Sequence, residues 1–177
     1  VYRVGVDLNL RDAVLIEPLS CIVRGRDNLG HLKLNAHVLV QGAGIIGLLW
    51  TCILHREGVV ITVSDISLGR RKKAVDLTNS FSRRPDVVDA RSLEDVREKF
   101  DVIVDCSGST TAIENALSLL KRGGKLSVFS CCSTDAKISI SPFELYRKEL
   151  TIVSSFINPG TFSRAVELAH SLEKEGY

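Results

Sequence analysis

The sequence predicts an α/β fold on a doubly wound parallel sheet, and three observations carry that prediction. Short apolar, β-branched runs alternate with segments of helical periodicity along most of the chain. One run, Val38-Leu39-Val40-Gln41, enters glycines spaced G-x-G-x-x-G at Gly42, Gly44 and Gly47. A second, Val59 to Ser64, ends at an acid, Asp65, eighteen residues past the last glycine. Strand, glycine turn, helix, strand and acid in that register form the βαβ unit that cradles a dinucleotide. With six strands and this unit first, the expected sheet is a six-stranded Rossmann sheet of order 3-2-1-4-5-6. Ligand then belongs outside the carboxyl ends of strands one and four, where the order reverses.

The elements follow in order. Val1-Tyr2-Arg3-Val4 reads as part of a strand. Asp12 is placed to cap a helix over residues 13–24, whose Val14, Leu15, Leu19, Ile22 and Val23 recur at helical spacing. Pro18 within it marks the first turn or a kink. Residues 30–35 form a polar connection into the first strand. The helix after the glycines is expected over 45–57, stopped by Gly58. The second helix is expected over 68–77, a short strand over 86–89, and a charged surface helix over 92–100. Residues 101–105 are apolar between two acids, as befits a strand buried on both faces. A helix over 110–121 should stop at Gly123-Gly124, before a fifth strand over 125–130. A short helix over 142–147, a sixth strand over 149–157 and a last helix over 161–173 complete the pattern. That last helix is expected to bury Phe162, Ala165, Val166, Leu168, Ala169 and Leu172.

Composition narrows the classes. A chain of 177 residues is about one domain, and 45% hydrophobic with 25% charged residues is ordinary for such a protein. No apolar run is long enough to span a membrane, and no signal peptide opens the chain. The net charge of +2 gives no reason to expect nucleic acid as a partner. The basic clusters at Arg70-Arg71-Lys72-Lys73 and Lys121-Arg122 read as solvated helix faces. Five cysteines, none in a Cys-x-x-Cys pair, suit a reducing, cytoplasmic setting and supply no zinc knuckle. The absence of methionine and a start in mid-strand predict a piece of a longer polypeptide. Residues 1–30 are assigned to a connecting segment and helix, and 31–177 to the nucleotide-binding domain.

Each candidate residue has a physical task. Gly42 permits the strand-to-helix turn, Gly44 lets the backbone approach the pyrophosphate, and Gly47 lets helix pack closely on strand. Ala43, Ile45 and Ile46 belong to the same turn, whose free N–H groups and positive helix end attract phosphate. Asp65 is placed to accept from the adenosine ribose hydroxyls and to repel a 2′-phosphate, favouring NAD over NADP. Ile66 and Arg70, the latter a helical turn away, are expected on the adenine side. Cys106, Ser107 and Gly108 follow strand four at the switch point, and Phe129 and Ser130 end strand five. The apolar sixth strand, Leu150 to Phe156, would be an exposed sheet edge, so two copies are expected to pair there as a homodimer or within a homotetramer.

The strings Ala13-Val14-Leu15-Ile16-Glu17-Pro18-Leu19-Ser20, Val38 to Gly47 and Asp101 to Gly108 resemble the zinc-dependent medium-chain dehydrogenases, in the branch of sorbitol, threonine and butanediol dehydrogenases. The resemblance covers nearly the whole chain but only the cofactor-binding half of the family's polypeptide. It implies NAD as cofactor and an alcohol or polyol as substrate. It also implies zinc held by a preceding catalytic domain that this sequence lacks, so that this chain alone holds no zinc and turns over nothing. Glu17 matches the family glutamate beside that zinc, as ligand or through its water. Phe156 and Ile157 correspond to the strand end whose backbone meets the carboxamide. Where the family often has an arginine for polyol substrates this chain has Ile157. Where it often has a Gly-Ala pair this chain has Leu77-Thr78-Asn79, and its glycine-rich turn is replaced by Ser130-Cys131-Cys132. A zinc-free quinone-reductase-like enzyme and a nucleotide-sensing module without catalysis are the alternatives.

Overall fold

The structure, a computed structural model, describes residues 13–93 and 96–176. The strand expected at 1–4 and the cap at Asp12 lie outside the described residues. The described elements are α1 (Ile16–Leu29), β1 (His37–Gln41), α2 (Ile45–His55), β2 (Val60–Asp65), α3 (Leu68–Thr78), β3 (Asp86–Asp89), a 3-10 turn (Ala90–Leu93), β4 (Phe100–Asp105), α4 (Thr110–Leu119), β5 (Leu120–Val128), α5 (Pro142–Lys148), β6 (Thr151–Ser154) and α6 (Phe162–Glu175). All strand pairs are parallel, in the order β3-β2-β1-β4-β5-β6. This is the expected doubly wound sheet.

The central strand shows why the sequence pattern works. Val38, Leu39 and Val40 are all 0% exposed, and successive side chains enter opposite cores. Val38 and Val40 meet α1, α2 and α6 through Ile22, Trp50 and Ala165, among others. Leu39 meets the other face, with Ile103, Leu126 and α4's Ile113 and Ala116. Pro18 sits in the first turn of α1, where a missing N–H costs nothing, and it introduces no break. In α6, Ala165 is fully buried and Leu172 nearly so, while Phe162, Val166, Leu168 and Ala169 pack on the core half-covered.

Four segments differ from expectation, the first being α1, which runs to Leu29, five residues past its expected end. No helix runs over 96–100: Leu93 closes a 3-10 turn into the core, and Phe100, 1% exposed, opens β4. Burial of those two side chains overrides the helical propensity of the charged residues between them. α4 ends at Leu119 because Leu120 already pairs with Phe100 as strand. Gly123 and Gly124 therefore sit in an irregularity of β5, before the register resumes at Lys125 opposite Val102. β6 is confined to Thr151–Ser154, shorter than its apolar run.

Lys148 joins these parts. The side chain is almost wholly buried, with Nζ donating to the carbonyls of Leu117 and Ser118 at 3.4 Å and of Leu120 at 3.2 Å. Glu98 lies 3.3 Å from the same ammonium. A cation at the carboxyl end of α4 meets both the helix dipole and carbonyls that the helix cannot pair.

Candidate functional site

The turn between β1 and α2 is shaped by its glycines in three different ways. Gly42 has φ +97°, and a Cβ there would lie 2.9 Å from the Cys106 carbonyl oxygen. A Cβ on Gly47 would overlap the Gly42 carbonyl oxygen, so helix and turn touch backbone to backbone. Gly44 is the opposite case: its φ is an ordinary −74°, and nothing lies within 4 Å of where a Cβ would stand. Neither turn geometry nor packing requires glycine there, and the space before it is open. α2 begins behind it with no capping side chain and no acid in its first turn. Its leading N–H groups are therefore left for an anion.

Asp65 ends β2 at 5% exposure. Its Oδ2 accepts from the Ala43 N–H at 2.9 Å and its Oδ1 from the Ser67 N–H at 2.7 Å. The carboxylate thus locks the glycine turn to the start of α3, with acceptor capacity left over. The cations expected a helical turn away fold back onto it. Arg70 lies 3.6 Å from Oδ2, and Arg71 donates to the Asp65 carbonyl at 2.7 Å while pairing Asp89 at 3.0 Å.

The other wall is the switch-point loop. The Cys106 N–H donates to the Gln41 carbonyl at 2.8 Å, holding the end of β4 against β1. Asp105, 0% exposed, accepts from the Ser107 hydroxyl at 2.5 Å and the Ser107 N–H at 3.2 Å. It also accepts from the Ser130 hydroxyl, joining the loops after β4 and β5. Burial, and then the Asp105 charge, push the Cys106 thiol well above its ordinary range, which favours the protonated sulfur.

These walls enclose a cleft of about 450 Å³. Of the residues singled out from sequence, Gly42, Gly44, Ile45, Ile46, Asp65, Ile66, Arg70, Cys106 and Ser107 line it. Ala43 and Gly47 underlie it as scaffold. Gly108, with φ +70°, and Ser130 stand at the adjoining loop pair. The Phe129 ring turns inward onto Trp50, edge to face at 5.3 Å, in the space left by Gly25. Phe156 and Ile157 are 84% and 57% exposed beyond β6, Ile157 at φ +49°. Their loop is tied to α1 by Asn158 donating to the Ser20 hydroxyl at 2.5 Å and Thr161 to the Ser20 carbonyl at 2.7 Å.

Glu17 is exposed on the first turn of α1, its carboxylate accepting from the Cys21 thiol at 3.5 Å. Burial and that neighbouring charge raise the Cys21 pKa. Among the described residues no three His, Cys, Asp or Glu side chains group as a metal site. Nor is any described helix long and apolar enough to cross a membrane. Sequence reasoning passed over Asp105, Gln41 and Ser109 as site residues. For Asp105 a signal was present: an acid ending an apolar strand at the switch point must find partners when buried.

Comparisons with known proteins agree with this geometry. The family profile described as zinc-binding dehydrogenase matches residues 46–171. D-altritol 5-dehydrogenase of Agrobacterium fabrum is 35% identical over 147 residues, covering 81% of this chain and 43% of that protein. Human sorbitol dehydrogenase is 30% identical over 135 residues, covering 71% of this chain and 36% of its own length. A crystal structure from Sinorhizobium meliloti, described as a zinc-binding dehydrogenase bound to NADP, superposes with a TM-score of 0.86. It shows 25% identity and covers 96% of this chain and 51% of that one. This chain thus spans about half the length, or less, of the curated relatives it matches. Sheet order, glycine turn and sequence kinship converge: the chain belongs to the zinc-dependent medium-chain dehydrogenases and represents their cofactor-binding domain.

Proposed function

We propose that the cleft binds NAD, and that the parent protein uses it to interconvert a secondary alcohol or polyol and its ketone. The observation that carries this reading is the open space before Gly44, facing the uncapped amino end of α2. A diphosphate fits that cradle in shape and charge. Asp65 supports the ribose assignment, being fixed by two backbone N–H groups yet able to accept more. When bound, the nicotinamide supplies the hydride acceptor, and zinc in the parent's other domain polarises the substrate oxygen. This chain's part is positional: Gly42–Gly47 hold the phosphates, Asp65 and Ile66 the adenosine, and the loops at Ser107 and Ser130 border the nicotinamide end. Glu17 would stand near the zinc in the parent. Relatives named for altritol, arabinitol and sorbitol support a polyol-like substrate.

The same reading assigns residues 31–177 to the nucleotide and 1–30 to the link from a preceding domain, with α1 packed on the shared core. A cytoplasmic setting accords with the free cysteines. Pairing of two copies through the exposed β6 edge accords with its composition.

Preference for NAD rests on the charge of Asp65, which opposes a 2′-phosphate, whereas Arg70 at 3.6 Å would welcome one. The buried, doubly held carboxylate outweighs an arginine whose side chain is 62% exposed. Calorimetric titration of the chain should show NAD binding at least about tenfold tighter than NADP, a difference of about 1.4 kcal/mol. Asp65→Asn, which keeps an acceptor and removes the charge, should narrow that gap. Equal or tighter binding of NADP by the unaltered chain would refute the assignment.

A further inference from the structure

One buried polar group at the cleft lacks a partner. Gln41 ends β1 at 7% exposure, and its Nε2 donates to the Ala112 carbonyl at 3.3 Å. Because a carbonyl can only accept, this contact fixes which end of the amide is nitrogen. The other end, Oε1, is shielded from solvent and accepts nothing. Buried polar side-chain atoms are overwhelmingly paired, so an orphan acceptor at a binding cleft points to a donor that arrives with the ligand.

The surroundings say which part of the ligand that is. Gln41 borders both the main cleft and a side lobe of about 210 Å³, which continues from it past Ser64, Ile66 and Ala90. On the dinucleotide reading Asp65 and Ile66 stand at the ribose end of the cleft, which would put the attached base in the lobe beside Ile66. Its lining sets apolar side chains such as Ile66 and Leu93 beside Ser109 and Asn115 from the α4 side.

We infer that Gln41 is a base-selecting residue: its Oε1 accepts a hydrogen bond from the exocyclic amino group of a 6-aminopurine and disfavours a 6-oxopurine. The inference rests on the dinucleotide reading above and deepens it. An amino group supplies the missing donor. A 6-oxo group instead sets a second acceptor against Oε1, and neither oxygen is satisfied. Inverting the amide is no remedy, because it would turn Oε1 against the Ala112 carbonyl. The terminal torsion of glutamine is soft, and the 3.3 Å contact to Ala112 is long, so Oε1 has freedom to swing towards a donor in the lobe.

The test compares NAD with nicotinamide hypoxanthine dinucleotide, and AMP with IMP, by calorimetric titration of the chain and of Gln41→Leu. The unaltered chain should bind each adenine ligand about tenfold tighter than its hypoxanthine partner, as expected for one well-placed hydrogen bond and the avoided clash of acceptors. Gln41→Leu, checked by circular dichroism, should bind each pair within about twofold. Gln41→Met, closer in length, serves if the leucine variant does not fold. Equal binding of the two bases by the unaltered chain, or a preference that survives loss of the amide, overturns the inference while leaving the dinucleotide site standing. Failure of all four ligands to bind overturns the site itself and this inference with it.

Discussion

Gly44 and Gly47 lie three residues apart and carry opposite constraints. Gly47 is required by packing: any side chain would enter the Gly42 carbonyl, so Gly47→Ala should lose the fold or most of its stability. Gly44 has room for a side chain and a φ of −74°, open to any L residue. Gly44→Val should therefore fold with a near-native circular dichroism spectrum and melting temperature, yet lose nucleotide affinity by about a hundredfold or more, because the branched side chain fills the phosphate's space. A folded Gly44→Val chain that binds NAD normally would displace the site from this turn. The pair separates the structural glycine from the functional one, in the positions where the G-x-G-x-x-G motif expects them. Asp65 combines both kinds of duty. Its two backbone contacts reach 22 residues back to Ala43 and two forward to Ser67, so the same carboxylate that would meet a ribose also holds the turn that would meet the phosphates.

Elements defined by their own local pattern were legible in the sequence. β3 spans Asp86–Asp89 as expected, α2 starts at Ile45, and α3 misses its expected end by one residue. Where a boundary is set by a distant partner, local pattern misleads. The charged stretch before Phe100 has helical composition, but its flanking Leu93 and Phe100 are drawn into the core. The Gly123-Gly124 pair looks like a helix stop, yet α4 has already ended because Leu120 pairs across to β4. Within the site, the glycines and Asp65 were legible because their spacing is the motif. Asp105 carried a weaker signal, an acid ending an apolar strand, and Gln41 carried none, since its importance comes from what α4 brings against it. Lys148 is the furthest such case: nothing in Arg147-Lys148-Glu149 announces a buried ammonium. Its three carbonyl partners predict that Lys148→Met destabilises the chain by about 2 kcal/mol in urea unfolding, as buried acceptors lose their donor. Lys148→Arg should recover little, because the planar fork does not match three carbonyls converging on one point. A methionine variant as stable as the parent would show that these carbonyls find water instead.

At the scale of the whole molecule, the sheet leaves β6 as an edge. Ile152 is 37% exposed along it, and Phe156 just beyond is 84% exposed. α5 adds Phe143 and Tyr146, at 64% and 81% exposure. An edge with unpaired backbone groups and uncovered apolar side chains favours a second copy around a two-fold axis. Sedimentation at micromolar concentration should give a dimer, and Val153→Pro, which spoils the edge strand for pairing with a second copy, should shift it to monomer. A strictly monomeric parent chain would remove this assembly. The loops after β4 and β5 are meanwhile linked inside each copy by Asp105, which accepts from a serine hydroxyl of each. With one anionic hinge pin between them, Ser107 on Oδ1 and Ser130 on Oδ2, neither serine can rotate to greet a ligand without surrendering its bond to the common carboxylate. The mouth of the cleft is in that sense set in advance, and the ordering entropy that a pair of independent loops would lose on capture has already been spent in folding.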